Sequence, residues 1–460
     1  MEPLAIIILA AGKGTRLGGN HSKALLQTSQ GPLLELCLKT ALSLSPEKVI
    51  VVTGHCRQEV EALARSVSPQ VTFAFQEQQR GTGDAVRAAL PALEAFSGDV
   101  LILYADMPLV RASSLQALRE LHQREKATIS LITVQTTLFH DYGRIVRDEH
   151  GQITRIIEAK DCSPQQLLGI ERNPAYYMVD SAFLAPAITS IRPHNAQKEF
   201  YLTDLVEIAA REGQNRSTLV AADPLEFQGV NTWQDLITVE RILRDRRVQF
   251  LLEQDVTVRD PASLIISPKV RLGRGCVIGP FVHLEGATII GDGVTIEGAV
   301  CLTDCVVEQG AVIKWGTRAT GASIGPHAAV GPFAHLRADT KLGSHAKIGN
   351  FVETKNAVLG EGAKASHLTY LGDCTVGTDA NIGAGTITCN YDGVKKSRTE
   401  IGDSVFIGSN SALVAPVSIG KGAFIGAGSV ITKDVEAGSL AVARAQQIEK
   451  KGWAIRKKKK

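Results

Sequence analysis

A chain of 460 residues with 44% hydrophobic and 21% charged residues has the apolar mass for a full core and the length for roughly two or three domains. A net charge of +3 is too small to argue for a nucleic-acid partner, and no apolar stretch reaches membrane-spanning length, so no membrane partner is expected either. The eight cysteines lack CxxC pairs and zinc spacing, and Glu2 stands where a secretion leader needs basic charge; reduced thiols and a cytoplasmic location are expected.

Residues 5–10 form a continuous apolar run of the kind that makes a buried parallel strand. The turn Ala11-Gly12-Lys13-Gly14-Thr15-Arg16 follows, with Lys23 beyond it. A glycine-rich turn after a first strand lets backbone N–H groups approach phosphate oxygens, and Arg16 and Lys23 add fixed positive charge. The spacing is neither that of a P-loop nor that of a dinucleotide fingerprint. Strands are expected at 49–53, 71–75 and 100–104, and helices at 58–66 and 84–96. This alternation predicts an α/β, Rossmann-like, mostly parallel sheet. Ligands of such sheets lie beyond the carboxyl ends of the strands. That rule singles out Gln76 with Gly81-Thr82-Gly83, and Tyr104-Ala105-Asp106. Thr82 also suits a helix N-cap. An aspartate closing a buried strand suits a hard cation such as Mg²⁺.

Residues 233–253 carry apolar side chains at helical spacing (Leu236, Val239, Ile242, Leu243, Phe250) and read as a connecting helix, its arginines a solvated face. From about 264 to 435 the period becomes six. Ile266, Leu272, Ile278, Leu284, Ile290, Ile296 and Leu302 make one run. Val306, Val312, Ile324, Val330, Leu336, Leu342 and Ile348 continue it, Val376 and Ile382 follow, and Ile401 to Ile431 close it. That is the signature of a hexapeptide β-helix, a rod whose faces each turn one aliphatic side chain inward. The glycines that follow the aliphatic residues are expected at corners with positive φ. Two stretches break the period, 364–373 and 388–396, and insertions of this kind map to a binding face. Both are rich in His, Lys, Asn and Tyr.

Leu9, Gly12, Gly14, Arg16 and Lys23 resemble the Leu-x-x-Gly-x-Gly-x-Arg…Lys motif of sugar-1-phosphate nucleotidylyltransferases, with Ser22 where that family usually has proline. The stretches 142–145, 158–161, 173–175 and 229–231 resemble its later motifs, although Ala105 replaces a glycine and Pro174-Ala175 replaces Thr-Gly. In the rod, both period-breaking stretches are similar to the acetyltransferase motifs of the bifunctional N-acetylglucosamine-1-phosphate uridylyltransferase/glucosamine-1-phosphate acetyltransferase family. So are Arg337, 348–353 with Lys355, 381–385, Ser409, Ala427 and 443–445. Ala338 stands where that family has proline.

The resemblance implies a nucleotidylyltransferase domain over 1–230, a linker helix over 231–253, a left-handed β-helix over 254–444 and a basic tail over 445–460. It implies that acetyl-CoA acetylates glucosamine-1-phosphate, and that N-acetylglucosamine-1-phosphate then takes uridylyl from UTP with Mg²⁺. At the first domain it implicates the backbone of Leu9, Ala10, Ala11 and Gly12, the charges of Arg16 and Lys23, and the base readers Gln76, Gly81 and Thr82. Tyr104, Gly143, Glu158 and Asn173 would meet nucleotide or sugar, and Asp106 and Asn231 the metal. In the rod, His367 would be the base, oriented by Asn390. Arg337, Lys355, Tyr370 and Lys396 would hold the sugar phosphate, with Asn381 at either substrate. Ala384, Asn390, Tyr391, Ser409, Ala427 and Arg444 would contact acetyl-CoA. A homotrimer is implied. The competing expectations are a monofunctional nucleotidylyltransferase for another sugar with a trimerising rod, and a structural rod with a vestigial head.

Overall fold

The computed structural model describes residues 2–14 and 22–454. The expectations for Arg16 and for the lysine run 457–460 fall outside them. The chain divides into two compact units, Met1–Leu243 and Arg244–Lys460. The division falls within the helix Trp233–Glu253, which matches the expected connecting helix.

The first unit is built on a ten-stranded mixed sheet. Its parallel part runs Thr72–Phe75, Lys48–Thr53, Leu4–Leu9, Asp99–Tyr104; Tyr177–Asp180 then joins antiparallel. Leu4–Leu9 is buried along its whole length, and alternate side chains enter two cores. Ala5, Ile7 and Leu9 pack with Val86, Leu184 and Val206, whereas Leu4, Ile6 and Ile8 pack with Leu38, Val60 and Leu118. Helices thus cover both faces, which is why this strand reads as a continuous apolar run. The helix expected over 84–96 is shorter: an α-helix spans Thr82–Ala89 and a 3₁₀ turn Leu90–Leu93. Pro91 supplies no N–H to continue it. Thr82 is its first residue, not its cap.

The second unit is a left-handed parallel β-helix. Short strands pair with the equivalent strand one coil on, as in Ile265↔His283↔Cys301, forming an eleven-stranded and a seventeen-stranded sheet. Its core is a column of small and aliphatic side chains from Val256 to Ile431. Three details differ from expectation. First, Val307 and Ile313 face inward, while Val306 is exposed and Val312 half-buried. The coil shortens by one residue between Leu302 and Val307, and again between Ala319 and Ile324, which shifts the frame.

Second, 364–373 is no insertion. Ala365 and Leu371 are buried inward positions, and Tyr370–Val376 pairs in register with Glu353–Leu359. Only the second break is a loop, leaving the rod after Cys389 and returning at Thr399.

Third, most glycines that follow the aliphatic residues are not at positive-φ corners. A Cβ built on Gly279 would fall on the Glu297 carbonyl of the next coil, and one on Gly349 on the Ser366 carbonyl. Close stacking of coils demands glycine there. The left-handed corners are shared between other glycines, such as Gly275 and Gly293, and non-glycine residues, among them Phe333, Asn356 and Asp373.

Candidate functional sites

In the first unit, the carboxyl ends of Leu4–Leu9, Thr72–Phe75 and Asp99–Tyr104 open into a cavity of about 330 Å³. Ten of the expected residues line it: Leu9, Ala10, Ala11, Gly12, Lys23, Gln76, Gly81, Thr82, Tyr104 and Asp106. The loop carrying Gly81 runs tight against Phe200. Gly83 N–H donates to the Phe200 carbonyl at 2.8 Å, Gly81 has φ of 111°, and a Cβ there would meet Phe200 backbone, so only glycine fits. The Gln76 amide spends both N–H groups, on the Gly81 carbonyl at 3.1 Å and the buried Asp84 carboxylate at 3.0 Å. What Gln76 retains is its carbonyl oxygen, an acceptor.

Lys23 marks the charge centre. Its Nζ donates to Asp106 Oδ2 at 3.3 Å and to Asn231 Oδ1 at 2.5 Å. Asn231 reaches this point because Val230 N–H bonds the Asp106 carbonyl at 2.9 Å. Behind it, Thr232 and Asp235 close a reciprocal cap on the following helix. Two oxygens from distant segments therefore converge on one cation.

Gly143, Glu158 and Asn173 form a separate cluster. Asn173 pairs with Gly143 across the sheet, and Glu158 accepts from the Thr203 hydroxyl at 3.2 Å. Burial raises the Glu158 carboxyl above the usual range. Burial, and then the Glu158 charge, push the Tyr104 phenol up, so Tyr104 links this cluster to the cavity. The Asn173 side chain is spent locally, on the Tyr177 hydroxyl at 2.7 Å and the Ala175 N–H at 2.9 Å.

In the rod the expected residues fall on two successive corners. On one, Asn350 and His367 are in register, and Ala384, Ser409 and Ala427 continue the line one per coil. Arg444 ends it with a 2.6 Å bond to the Ala427 carbonyl. His367 Nδ1 lies 2.6 Å from Asn350 Oδ1. Asn390, the expected orienter, instead donates to Asp373. It stands on the 389–399 loop, at the corner of Asp373, while the imidazole of His367 is bonded by Asn350. Asn381 lies on a different sheet from Tyr370 and is not brought to the phosphate residues.

The second corner gathers charge. The Lys396 amine, and then the Arg337 guanidinium, hold the Lys355 ammonium below the usual lysine range. Arg337 also pairs with Glu353 at 3.0 Å, and Glu353 is the cross-strand neighbour of Tyr370. Glu353 and Asp373 offset part of the charge of these three cations, and a multivalent anion would neutralise the rest. The loop that brings Lys396 is a small hairpin. Asp392 accepts from Val394 and Lys395 N–H, and the Tyr391 hydroxyl bonds the Gly393 carbonyl at 2.5 Å.

Comparison with known proteins supports both halves. Residues 6–197 match the MobA-like NTP transferase domain, and residues 398–433 match the bacterial transferase hexapeptide repeat. The bifunctional protein GlmU of Geotalea uraniireducens (strain Rf4) is 45% identical over 458 residues, covering 100% of both chains. That of Pelobacter propionicus (strain DSM 2379 / NBRC 103807 / OttBd1) is 45% identical over 460 residues, again covering 100% of both. The chain belongs to the GlmU family. The match to these relatives runs through both units. Sequence reasoning assigned no role to Asn350, Asp373, Asp84, Gln79 or Glu199. Asn350 and Asp373 stood inside quoted motifs. Gln79, which donates to the Ala11 carbonyl at 2.8 Å, carried no signal beyond its place after a strand.

Proposed function

We propose that this bifunctional transferase carries out two successive reactions of UDP-N-acetylglucosamine synthesis, acetyl transfer on the rod and uridylyl transfer on the sheet domain. In the first, the neutral amine of glucosamine-1-phosphate attacks the acetyl-CoA thioester carbonyl. His367 takes the amine proton through Nε2, and CoA leaves as the thiol after protonation. Arg337, Lys355 and Lys396 hold the sugar phosphate, with Tyr370 beside them. The line Ala384, Ser409, Ala427 and Arg444 carries acetyl-CoA, with Tyr391 on the loop. A homotrimer lets a neighbouring rod's Asn390 loop approach His367.

In the second reaction, a phosphate oxygen of N-acetylglucosamine-1-phosphate attacks the α-phosphorus of UTP and pyrophosphate leaves. Positioning and charge neutralisation dominate such a transfer. Lys23 supplies positive charge, Gln76 and the Gly81-Thr82 backbone meet the base, and Glu158 meets the sugar. The donor set also fits Mg²⁺: Asp106 Oδ2 and Asn231 Oδ1 are hard oxygens already converging on a cation. Among the described residues no three His, Cys, Asp or Glu side chains are grouped to hold a metal. Two protein oxygens suffice for an ion that keeps water and phosphate ligands. Bound there, Mg²⁺ would neutralise triphosphate charge. No described helix is long and apolar enough to cross a membrane, and we place the enzyme in the cytoplasm.

The observation that carries this reading is the gathering of Arg337, Lys355 and Lys396 at one corner. A rod that only trimerised would have no use for it, which disfavours the monofunctional alternative. The test follows CoA thiol and pyrophosphate separately, from glucosamine-1-phosphate and acetyl-CoA, with and without UTP and Mg²⁺. Both products are expected, and His367→Ala should remove CoA release while leaving pyrophosphate release from supplied N-acetylglucosamine-1-phosphate. Pyrophosphate without CoA from the unaltered protein would overturn the assignment of the rod.

A further inference from the structure

Asp373 occupies a left-handed corner with φ of 47°. Asn356 stands at the equivalent corner one coil before, with φ of 45°. Asn and Asp tolerate that conformation, so the simplest account of Asp373 is backbone geometry alone. Its side chain does more than the corner requires. Oδ1 accepts from Asn356 Nδ2 at 2.7 Å, and Oδ2 accepts from Asn390 Nδ2 in a short bond. The charges of Lys396 and Lys355 lie close by as well. Burial pushes the Asp373 carboxyl upward, but the two amide donors and the two lysines outweigh it and hold it below the usual carboxylate range. A carboxyl held below the usual range is ionised at neutral pH.

We propose that Asp373 is a positioning residue for acetyl transfer. Its carboxylate accepts one N–H of the Asn390 amide and so ties down which way that amide faces, which directs the Asn390 carbonyl oxygen as well. An amide rotates freely between two polarities unless one end is tied, and a carboxylate accepts but cannot donate. With Nδ2 bound to Asp373, Asn390 Oδ1 is an acceptor suited to an N–H of the attacking amine. This inference rests on the assignment of the rod's chemistry above.

The test is a set of variants in the full-length protein, with CoA release and pyrophosphate release followed separately. Asp373→Asn replaces the acceptor facing Asn390 with a group that can donate, leaving the Asn390 amide free to turn. Its kcat for CoA release should fall about tenfold or more, as for other residues that orient a reacting group. KM for glucosamine-1-phosphate should not rise, because the change removes a negative charge beside the phosphate lysines. Asn390→Ala should also lower kcat, and Asp373→Asn added to it should cost little more, because both act through one bond.

The swapped pair Asp373→Asn with Asn390→Asp keeps both hydrogen bonds with one polarity reversed, and should recover most of the kcat lost by Asp373→Asn. Pyrophosphate release should be unchanged throughout. Multiplicative losses in the double variant, or a raised KM at unchanged kcat, would overturn the proposal. So would a swap no better than Asp373→Asn alone. If Asn390→Ala left kcat unchanged, the assignment of Asn390 itself would fall, and this proposal with it.

Discussion

Asn350 and His367 stand one coil apart in register, with the amide oxygen 2.6 Å from the imidazole Nδ1. An amide oxygen has no proton to give, so the ring donates from Nδ1. That fixes the neutral tautomer whose Nε2 carries the lone pair, the form a general base needs. Asn350→Ala should lower kcat for CoA release about tenfold by freeing the ring, in line with other residues that orient a reacting imidazole. Asn350→Asp should do something different. A carboxylate beside the ring favours imidazolium, raises its pKa, and moves the acid limb of the pH–rate profile upward by about one unit. The limb staying in place in Asn350→Asp would remove this role from Asn350.

The contact of Lys23 with both Asp106 and Asn231 predicts that the two activities separate under chelation. EDTA should abolish pyrophosphate release and leave CoA release intact, because nothing in the acetyl transfer calls for a metal. Lys23→Met should cut kcat for uridylyl transfer by about two orders of magnitude or more, the usual cost of losing a charged group aimed at the transition state. Asn231→Ala should raise the Mg²⁺ concentration that gives half-maximal rate. Pyrophosphate release persisting in EDTA would sink the metal assignment.

The repeat was legible because each face needs one aliphatic side chain per coil, and Ile278, Leu284 or Ile296 leave no doubt which it is. It was not legible at Val306-Val307, two neighbours of the same type, where a shortened coil decides which turns inward. It failed again at Ala365, because alanine fills an inward position without advertising it. The sheet-domain cavity was legible from strand ends, since a run such as Leu4–Leu9 announces where its own carboxyl end lies. The link from Asp373 to Asn390 and that from Asn350 to His367 each cross 17 residues between coils. A hydrogen bond between polar side chains on adjacent coils leaves no trace in a hydrophobic period. The shift of Asn390 from His367 to Asp373 follows from the same blindness.

Stacking of coils on glycine predicts two alanine substitutions with different outcomes. In Gly279→Ala the new methyl would occupy the place of the Glu297 carbonyl, far from any assigned residue. The rod should lose about 2 kcal/mol, a typical cost of overpacking, with CoA release normal at temperatures where it stays folded. In Gly349→Ala the displaced group is the Ser366 carbonyl, next to His367 and beside Asn350. A similar stability loss should come with a fall in kcat for CoA release at every temperature. Thermal melts paired with CoA assays check both. Equal activity in the two variants would mean the strand absorbs the methyl without moving His367.

Asp204 gives the sheet domain a pH dependence of definite sign. It opens the helix Asp204–Arg211, where negative charge is ordinarily welcome, yet burial and then the charges of Glu207 and Asp161 raise its carboxyl to about 6. A carboxyl raised in the folded state favours the protonated form there. Its contribution to stability is therefore fully present below the unfolded pKa near 3.8 and is lost as pH rises through about 6. Undiscounted, a shift of this size is worth about 3 kcal/mol. Solvent reaches part of the side chain, so about 1 kcal/mol is the expected net effect. Asp204→Asn removes the disfavoured charge and should stabilise the sheet domain at pH 7.5 by that amount, with the advantage gone at pH 4. Urea unfolding of the full chain at the two pH values, followed by a probe in the first unit, measures the difference. A variant less stable than the parent at pH 7.5 would mean that the helix terminus, not burial, governs Asp204.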